Sequence, residues 1–266
     1  MVPNYNVMQF IKTEIRGFTG IITLDNDEKH NSLNLRMLKE MEESLDDFAE
    51  QKIRTVIIRS NAGAKVWCAG LRIDELPKPG TDPVPFRYPL EDTLNKIENF
   101  PGAVIAMIEG SVWGGGCELA FSCDILIGSP KSTFAITPAK LNAPYNPVQV
   151  QRVLSLVETN IAKELFFTAA PIKAERALEL GILNHMTVET DLETVTMKMA
   201  EDINGNAPQS ITLLKMEINA IRGNAVRDLQ LLEDINKMIE KLYYSKDFEE
   251  GKKAFLEKRR PNFSGE

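Results

Sequence analysis

Three short apolar runs, Arg54–Arg59, Val104–Ile108 and Ile125–Ile127, constrain the fold of this chain more than any other feature. Each is rich in Val and Ile and too short for a helix, so each reads as a buried strand. A helix, Leu90–Phe100, falls between the first two. Strands divided by helices pair in parallel through crossovers, so the pattern predicts stacked βαβ-type units rather than a hairpin-built sandwich. Ahead of them, Val7–Glu14 and Thr19–Leu24 alternate apolar and polar residues, with Arg16 and Gly17 as the turn between. Asn34–Phe48 carries Leu35, Leu38, Met41, Leu45 and Phe48 at helical spacing on an acidic helix.

From Pro147 onward the pattern changes. Val148–Leu156, Ala162–Thr168, Ala174–Leu180, Leu192–Ile203, Ser210–Ile221 and Ala225–Leu242 all read as helices, and strand signals nearly vanish. The expected organisation is an α/β core over residues 1–200 and a helical C-terminal subdomain over 201–266. Pro77–Pro85 is the most irregular stretch and is expected to be a loop. The late helices are richer in Leu, Ile and Met than a small subdomain can hide, which fits a subunit interface.

Composition narrows the function. With 31 basic and 38 acidic residues the net charge is −7, and 43% hydrophobic with 26% charged residues is ordinary globular usage. The longest apolar stretches fall far short of the ~20 residues that span a bilayer. No basic-then-apolar leader opens the sequence. Three cysteines, Cys68, Cys117 and Cys123, form no CxxC pair, which suits a reducing compartment. A cytoplasmic protein with no membrane partner is therefore expected. The negative charge argues against a nucleic-acid partner, since the one dense basic cluster, Lys258–Arg260, is short and follows Glu257. Only His30 and His185 could serve a zinc site or a Ser-His-Asp triad, so no metal is expected.

Two glycine turns could carry chemistry. One contains Cys68, Ala69, Gly70 and Leu71; the other contains Gly114, Gly115, Gly116, Cys117 and Glu118. Glycines after a strand and at the mouth of an apolar helix let backbones approach closely and turn free N–H groups outward. Such a place suits an oxygen that becomes anionic during reaction. It equally suits a packing turn. The spacing matches neither GxGxxG nor the Walker motif, so no nucleotide fingerprint is present.

Taken together, these two turns make the chain resemble the crotonase (enoyl-CoA hydratase/isomerase) superfamily, from the early strands to Phe263. The resemblance implies a crotonase-like β/β/α spiral core with a helical C-terminal trimerisation region, assembled as a homotrimer or dimer of trimers. It implies an acyl-CoA thioester as substrate, with coenzyme A as part of that substrate and no separate cofactor. It also implies an oxyanion hole built from the N–H groups of Leu71 and Gly115. His30, Asn31 and Ser32, with Ala69 and Gly70, match the segments that run along CoA, and Lys258 matches a basic residue that meets a CoA phosphate of an adjacent subunit. Within the family the chain looks most like the branch that decarboxylates methylmalonyl-CoA to propionyl-CoA. The residues that carry this are Gly110 to Gly115, Thr137 and Pro138, Pro144 to Asn146, and Gly181 to His185.

A hydratase needs two carboxylates flanking one water. Glu118 matches the first; the second would fall at Ala139, which transfers no proton. Decarboxylation asks less, because the substrate brings its own leaving group. The resemblance gives Tyr145 the task of orienting the substrate carboxylate; by its residue type alone it is a loop tyrosine packed for its ring. One departure stands out: the decarboxylase pattern has His-Asp where this chain has Leu71-Arg72. Arg72 could meet an anionic group of the substrate or remain a solvated charge. Cys68 and Cys117 read as inert buried thiols and His185 as structural. Three functions stay open: a malonyl-type decarboxylase, an enoyl-CoA hydratase or isomerase using Glu118 as acid/base, and a non-catalytic acyl-CoA-binding protein.

Overall fold

The computed structural model describes residues 8–72, 89–141, 145, 147–222, 233–234, 237–238, 241 and 245–265. The loop expected at Pro77–Pro85 and most of the helix expected at Ala225–Leu242 lie outside these.

The chain opens with the hairpin β1 (Ile11–Arg16) and β2 (Thr19–Leu24), turned at Gly17 with φ +60°. Helix α1 (Leu35–Glu50) follows, its first turn capped by the Asn34 side chain, which accepts from the Met37 N–H at 2.8 Å. A repeating circuit then begins. Strand β3 (Thr55–Ser60) leads to the short β4 (Val66–Cys68) and, past the undescribed segment, to α2 (Pro89–Glu98). Strand β5 (Ala103–Ile108) leads to β6 (Ser111–Trp113) and α3 (Gly115–Phe121). Strand β7 (Ile125–Gly128) leads to β8 (Thr133–Ala135) and α4 (Pro138–Leu141).

Each circuit gives one strand to each of two sheets. The larger has the order β1-β2-β3-β5-β7-β10, and all its pairs beyond the first hairpin are parallel. Its last strand, β10, is His185–Met186. The smaller has the order β4-β6-β8-β9, with β9 at Ile172–Lys173. The result is the expected β/β/α spiral. The second sheet adds to the strands read from the sequence: its strands are two or three residues long, too short to show a period. His185 pairs with Ile127 at the edge of the large sheet, as a structural residue would.

Parallel strands are covered on both faces, which explains their continuous apolar runs. Ile21, Ile57, Ile105 and Ile127 face helix α8 (Glu189–Asn204), which adds Leu192 and Ala200. The alternate residues Ile22, Val56, Ile58, Val104, Ala106 and Ile108 join the main core with α1 and α2. Trp67 on β4 is fully buried and donates its indole N–H to the Met107 carbonyl at 2.9 Å, tying the small sheet to the large one.

Helices α5 (Pro147–Leu154), α6 (Thr159–Thr168), α7 (Ala174–Glu179), α9 (Pro208–Arg222) and α10 (Lys246–Glu257) complete the described chain. Helix α8 runs unbroken through residue 200. Lys215 on α9 is buried and reaches under the sheet to Asp124 at 2.7 Å and to the Ile97 and Gly102 carbonyls. That charge is paired and hydrogen-bonded, as a buried ammonium must be. Among the described residues no helix is long and apolar enough to cross a membrane.

Candidate active site

The spiral brings the ends of β4 and β6 side by side, and with them the two glycine turns. Gly70 has φ +83°, and a Cβ on it would stand 2.5 Å from the Trp113 carbonyl oxygen. A Cβ on Gly116 would stand 2.7 Å from the Cys68 carbonyl oxygen. No side chain fits at either position, so glycine at both lets the two backbones touch. Gly114 sits at φ 50°, ψ −117°, outside the reach of ordinary residues, and turns the chain from β6 into α3.

This close approach sets the Leu71 and Gly115 amides together. A Cβ on Gly115 would be 3.3 Å from the Leu71 nitrogen. The Leu33–Leu71 bridge is made by the Leu33 N–H donating to the Gly70 carbonyl and the Arg72 N–H donating to the Leu33 carbonyl. Leu71 therefore keeps its own N–H on the opposite side. Gly115 is the first residue of α3, where an N–H has no intrahelical acceptor. Two backbone donors thus converge from residues 44 positions apart. The side chains of Leu71 and Leu90 border them, at 3.1 and 3.4 Å from the Gly115 Cβ position.

Glu118 lies one turn along α3. Helical side chains tilt toward the N-terminus, so its carboxyl is carried back toward the amide pair. It is 2% exposed, and burial pushes its pKa up to about 7, against the lowering effects of Tyr145, Gln149 and Arg152. The Gln149 side-chain amide donates to both carboxyl oxygens, at 3.0 Å to Oε1 and 2.8 Å to Oε2. One turn further on α5, Arg152 is buried and fixes that helix against α2. It donates twice to Glu91, at 3.1 and 3.0 Å, and once to Glu98 at 2.9 Å.

Tyr145 packs edge-on against Phe166, with ring centroids 5.3 Å apart. Its hydroxyl is buried, and among the described residues no partner meets it in hydrogen-bonding geometry. Burial and then the nearby Glu118 charge push its pKa well up, so it is a donor at neutral pH. Glu118 is thus close enough to the phenol to be felt electrostatically.

The remaining sequence candidates are spread over the fold. Ala139 is exposed on α4, just after Thr137, whose Oγ1 is 3.6 Å from the Gly114 Cβ position. His30, Asn31 and Ser32 form the loop under the first turn: the His30 carbonyl accepts from the Ala69 N–H at 3.0 Å. Asn31 is fully buried, its side chain bonded to the Trp67 carbonyl and the Asn26 N–H, so it shapes the loop from within. Lys258 is exposed on the turn after α10. The tail beyond it is tied to Arg54, Gln209 and Asp247. Arg72 is half-buried at the edge of the described residues. Cys68 and Cys117 are fully buried, and burial pushes the Cys68 thiol up to about 12, so both are inert. Pro144 and Asn146 lie outside the described residues. Among the described residues no cluster of His, Cys, Asp or Glu could hold a metal.

Residues 15–266 match the enoyl-CoA hydratase/isomerase family model. The chain belongs to that family. It is 38% identical over 257 residues to methylmalonyl-CoA decarboxylase of Escherichia coli K12, covering 97% of this chain and 98% of that one. A solved methylmalonyl-CoA decarboxylase in complex with 2-nitronate-propionyl-CoA is 38% identical, with a TM-score of 0.79 over 97% and 99% of the two chains. An enoyl-CoA hydratase from Bacillus anthracis is 30% identical, with a TM-score of 0.83 over 97% and 100%. The family member described here is an acyl-CoA enzyme of the crotonase type. Backbone shape does not divide decarboxylase from hydratase, so the side chains must.

Sequence reasoning passed over Gln149 and Arg152. Both sit in a stretch that reads simply as a helix; the available signal was two polar residues one turn apart on a helix next to Tyr145.

Proposed function

We propose that this enzyme decarboxylates a malonyl-type CoA thioester, converting methylmalonyl-CoA to propionyl-CoA. The reading is carried by the pairing of two convergent amides with a single carboxyl, while alanine stands at position 139. The Leu71 and Gly115 N–H groups would donate to the thioester oxygen. With the carboxylate rotated out of the thioester plane, the C–C bond electrons flow into that carbonyl, CO2 leaves, and the amides stabilise the enolate oxygen. A proton supplied by solvent then adds to the α-carbon, giving propionyl-CoA. The unpartnered Tyr145 hydroxyl is suited to donate to the departing carboxylate and hold it in that orientation. His30, Ser32, Ala69 and Gly70 would line the path of the CoA chain, its backbone closed from within by Asn31. CoA belongs to the substrate, and the reaction needs no further cofactor.

One observation favours a second reading. Glu118, with a pKa near 7, could give and take a proton in enoyl-CoA hydration or isomerisation. Incubating the protein with methylmalonyl-CoA and with crotonyl-CoA separates the two. CO2 release with propionyl-CoA formation is expected; rapid hydration without CO2 would replace this reading, and silence in both would leave an acyl-CoA-binding protein.

We also propose a homotrimer or dimer of trimers in the cytoplasm. Leu214, Ile218 and Ile221 form an exposed apolar stripe on α9, and Lys258 would meet a CoA phosphate bound by a neighbouring subunit. Light scattering that gives one chain of 29.8 kDa at every concentration would reject the assembly.

A further inference from the structure

We propose that Gln149 is a positioning residue that selects the reaction at this site, by holding Glu118 as a fixed acceptor and withholding it from proton transfer at the substrate α-carbon. This rests on an acyl-CoA lying at the Leu71–Gly115 amide pair, the placement used above.

The geometry is specific. The Gln149 amide lies between the two carboxyl oxygens, bonded to Oε1 and Oε2 together. A carboxyl working as base must turn one oxygen toward the reacting carbon and release it again as O–H. Each such turn would break at least one bond to Gln149 in a buried setting, where the lost bond is not replaced by water. Gln149 cannot drift with the carboxyl, because Arg152, one turn on, is locked to Glu91 and Glu98 on α2. Helix α5 therefore acts as a brace that carries the Gln149 amide against the carboxyl. The consequence suits a decarboxylase: an enolate that has just lost CO2 sits beside a carboxyl that does not readily enolise the product again.

The reaction that Gln149 suppresses can be measured directly. In D2O, a released Glu118 carboxylate would take an α-proton from propionyl-CoA, its C–H electrons passing into the thioester carbonyl. The enolate would then take a deuteron from the exchanged Glu118 carboxyl, leaving propionyl-CoA with deuterium at the α-carbon and Glu118 restored. The experiment follows deuterium uptake by mass in wild type, Gln149→Ala, Gln149→Met and Gln149→Ala with Glu118→Gln. Methionine keeps the length of the side chain without its donors and guards against a variant that does not fold.

Exchange at saturating propionyl-CoA should rise at least about tenfold in both single variants, with KM little changed, and return to the wild-type level in the double variant. A rise only in rate at saturation marks release of Glu118 rather than a reshaped pocket. Equal exchange in wild type and both single variants would overturn the proposal, as would a rise that survives Glu118→Gln. The decarboxylase reading stands or falls separately: Glu118-dependent exchange without any CO2 release from wild type would keep the role of Gln149 and reject decarboxylation.

Discussion

The amide nitrogen of Leu71 lies 3.3 Å from the point where a Cβ on Gly115 would stand. Two turns at the ends of neighbouring strands of the small sheet thus present one pair of donors, and the chemistry of the site depends on both. Gly115 opens a helix, a position that accepts proline because its N–H has no helical partner. Gly115→Pro should therefore fold while deleting one donor. Turnover of the acyl-CoA substrate should drop by roughly 10²–10³, the loss typical of one oxyanion donor. Unchanged turnover in a folded variant would move the oxyanion site elsewhere.

Tyr145→Phe separates orientation from packing. The ring contact with Phe166 remains, and a buried hydroxyl without a partner is removed. Stability should hold or rise by about 1 kcal/mol. Decarboxylation should fall roughly ten- to hundredfold if the hydroxyl acts on the departing carboxylate, with the affinity for an unreactive acyl-CoA nearly constant. Equal rates of CO2 release would make Tyr145 a packing residue only.

Ala139→Glu tests the missing carboxylate. The residue is exposed on α4 beside Thr137, so a longer side chain has room. Crotonyl-CoA hydration should rise by roughly 10²-fold, as expected when a second general acid/base is supplied. Wild-type hydration at the speed of a dedicated hydratase would remove the argument from position 139.

Glu118 predicts a pH dependence of stability. Its pKa is raised from 4.5 in the unfolded chain to about 7 in the fold, chiefly by burial. The folded state binds that proton more tightly, so the contribution is fully present below pH 4.5 and is lost as pH rises through 7. Relative to Glu118→Gln, wild type should lose up to about 3 kcal/mol across that window, from ~1.4 kcal/mol per pKa unit. Urea midpoints of the two proteins should converge near pH 4.5 and diverge by pH 8. Parallel curves would show that Glu118 is not desolvated as described.

What the sequence determined by itself was the period of each long element and the chemistry that was missing. The β-rich first half, the helices α1, α2 and α5 to α9, and the parallel order of β3, β5 and β7 follow from local hydrophobic spacing, which a single chain displays openly. Ala139 and the scarcity of histidine limited the chemistry before any contact was known. The small sheet was hidden because strands of two or three residues have no measurable period; they are strands only through their pairing with one another. The glycine turns were visible, but not that Gly70 and Gly116 are required by carbonyls of the other turn. The hold of Gln149 on Glu118, and of Arg152 on Glu91 and Glu98, joins residues 31 to 61 positions apart. Such pairs leave no periodic trace. They exist because burial makes an unpaired polar group costly, and only the packed structure decides which partner meets that need.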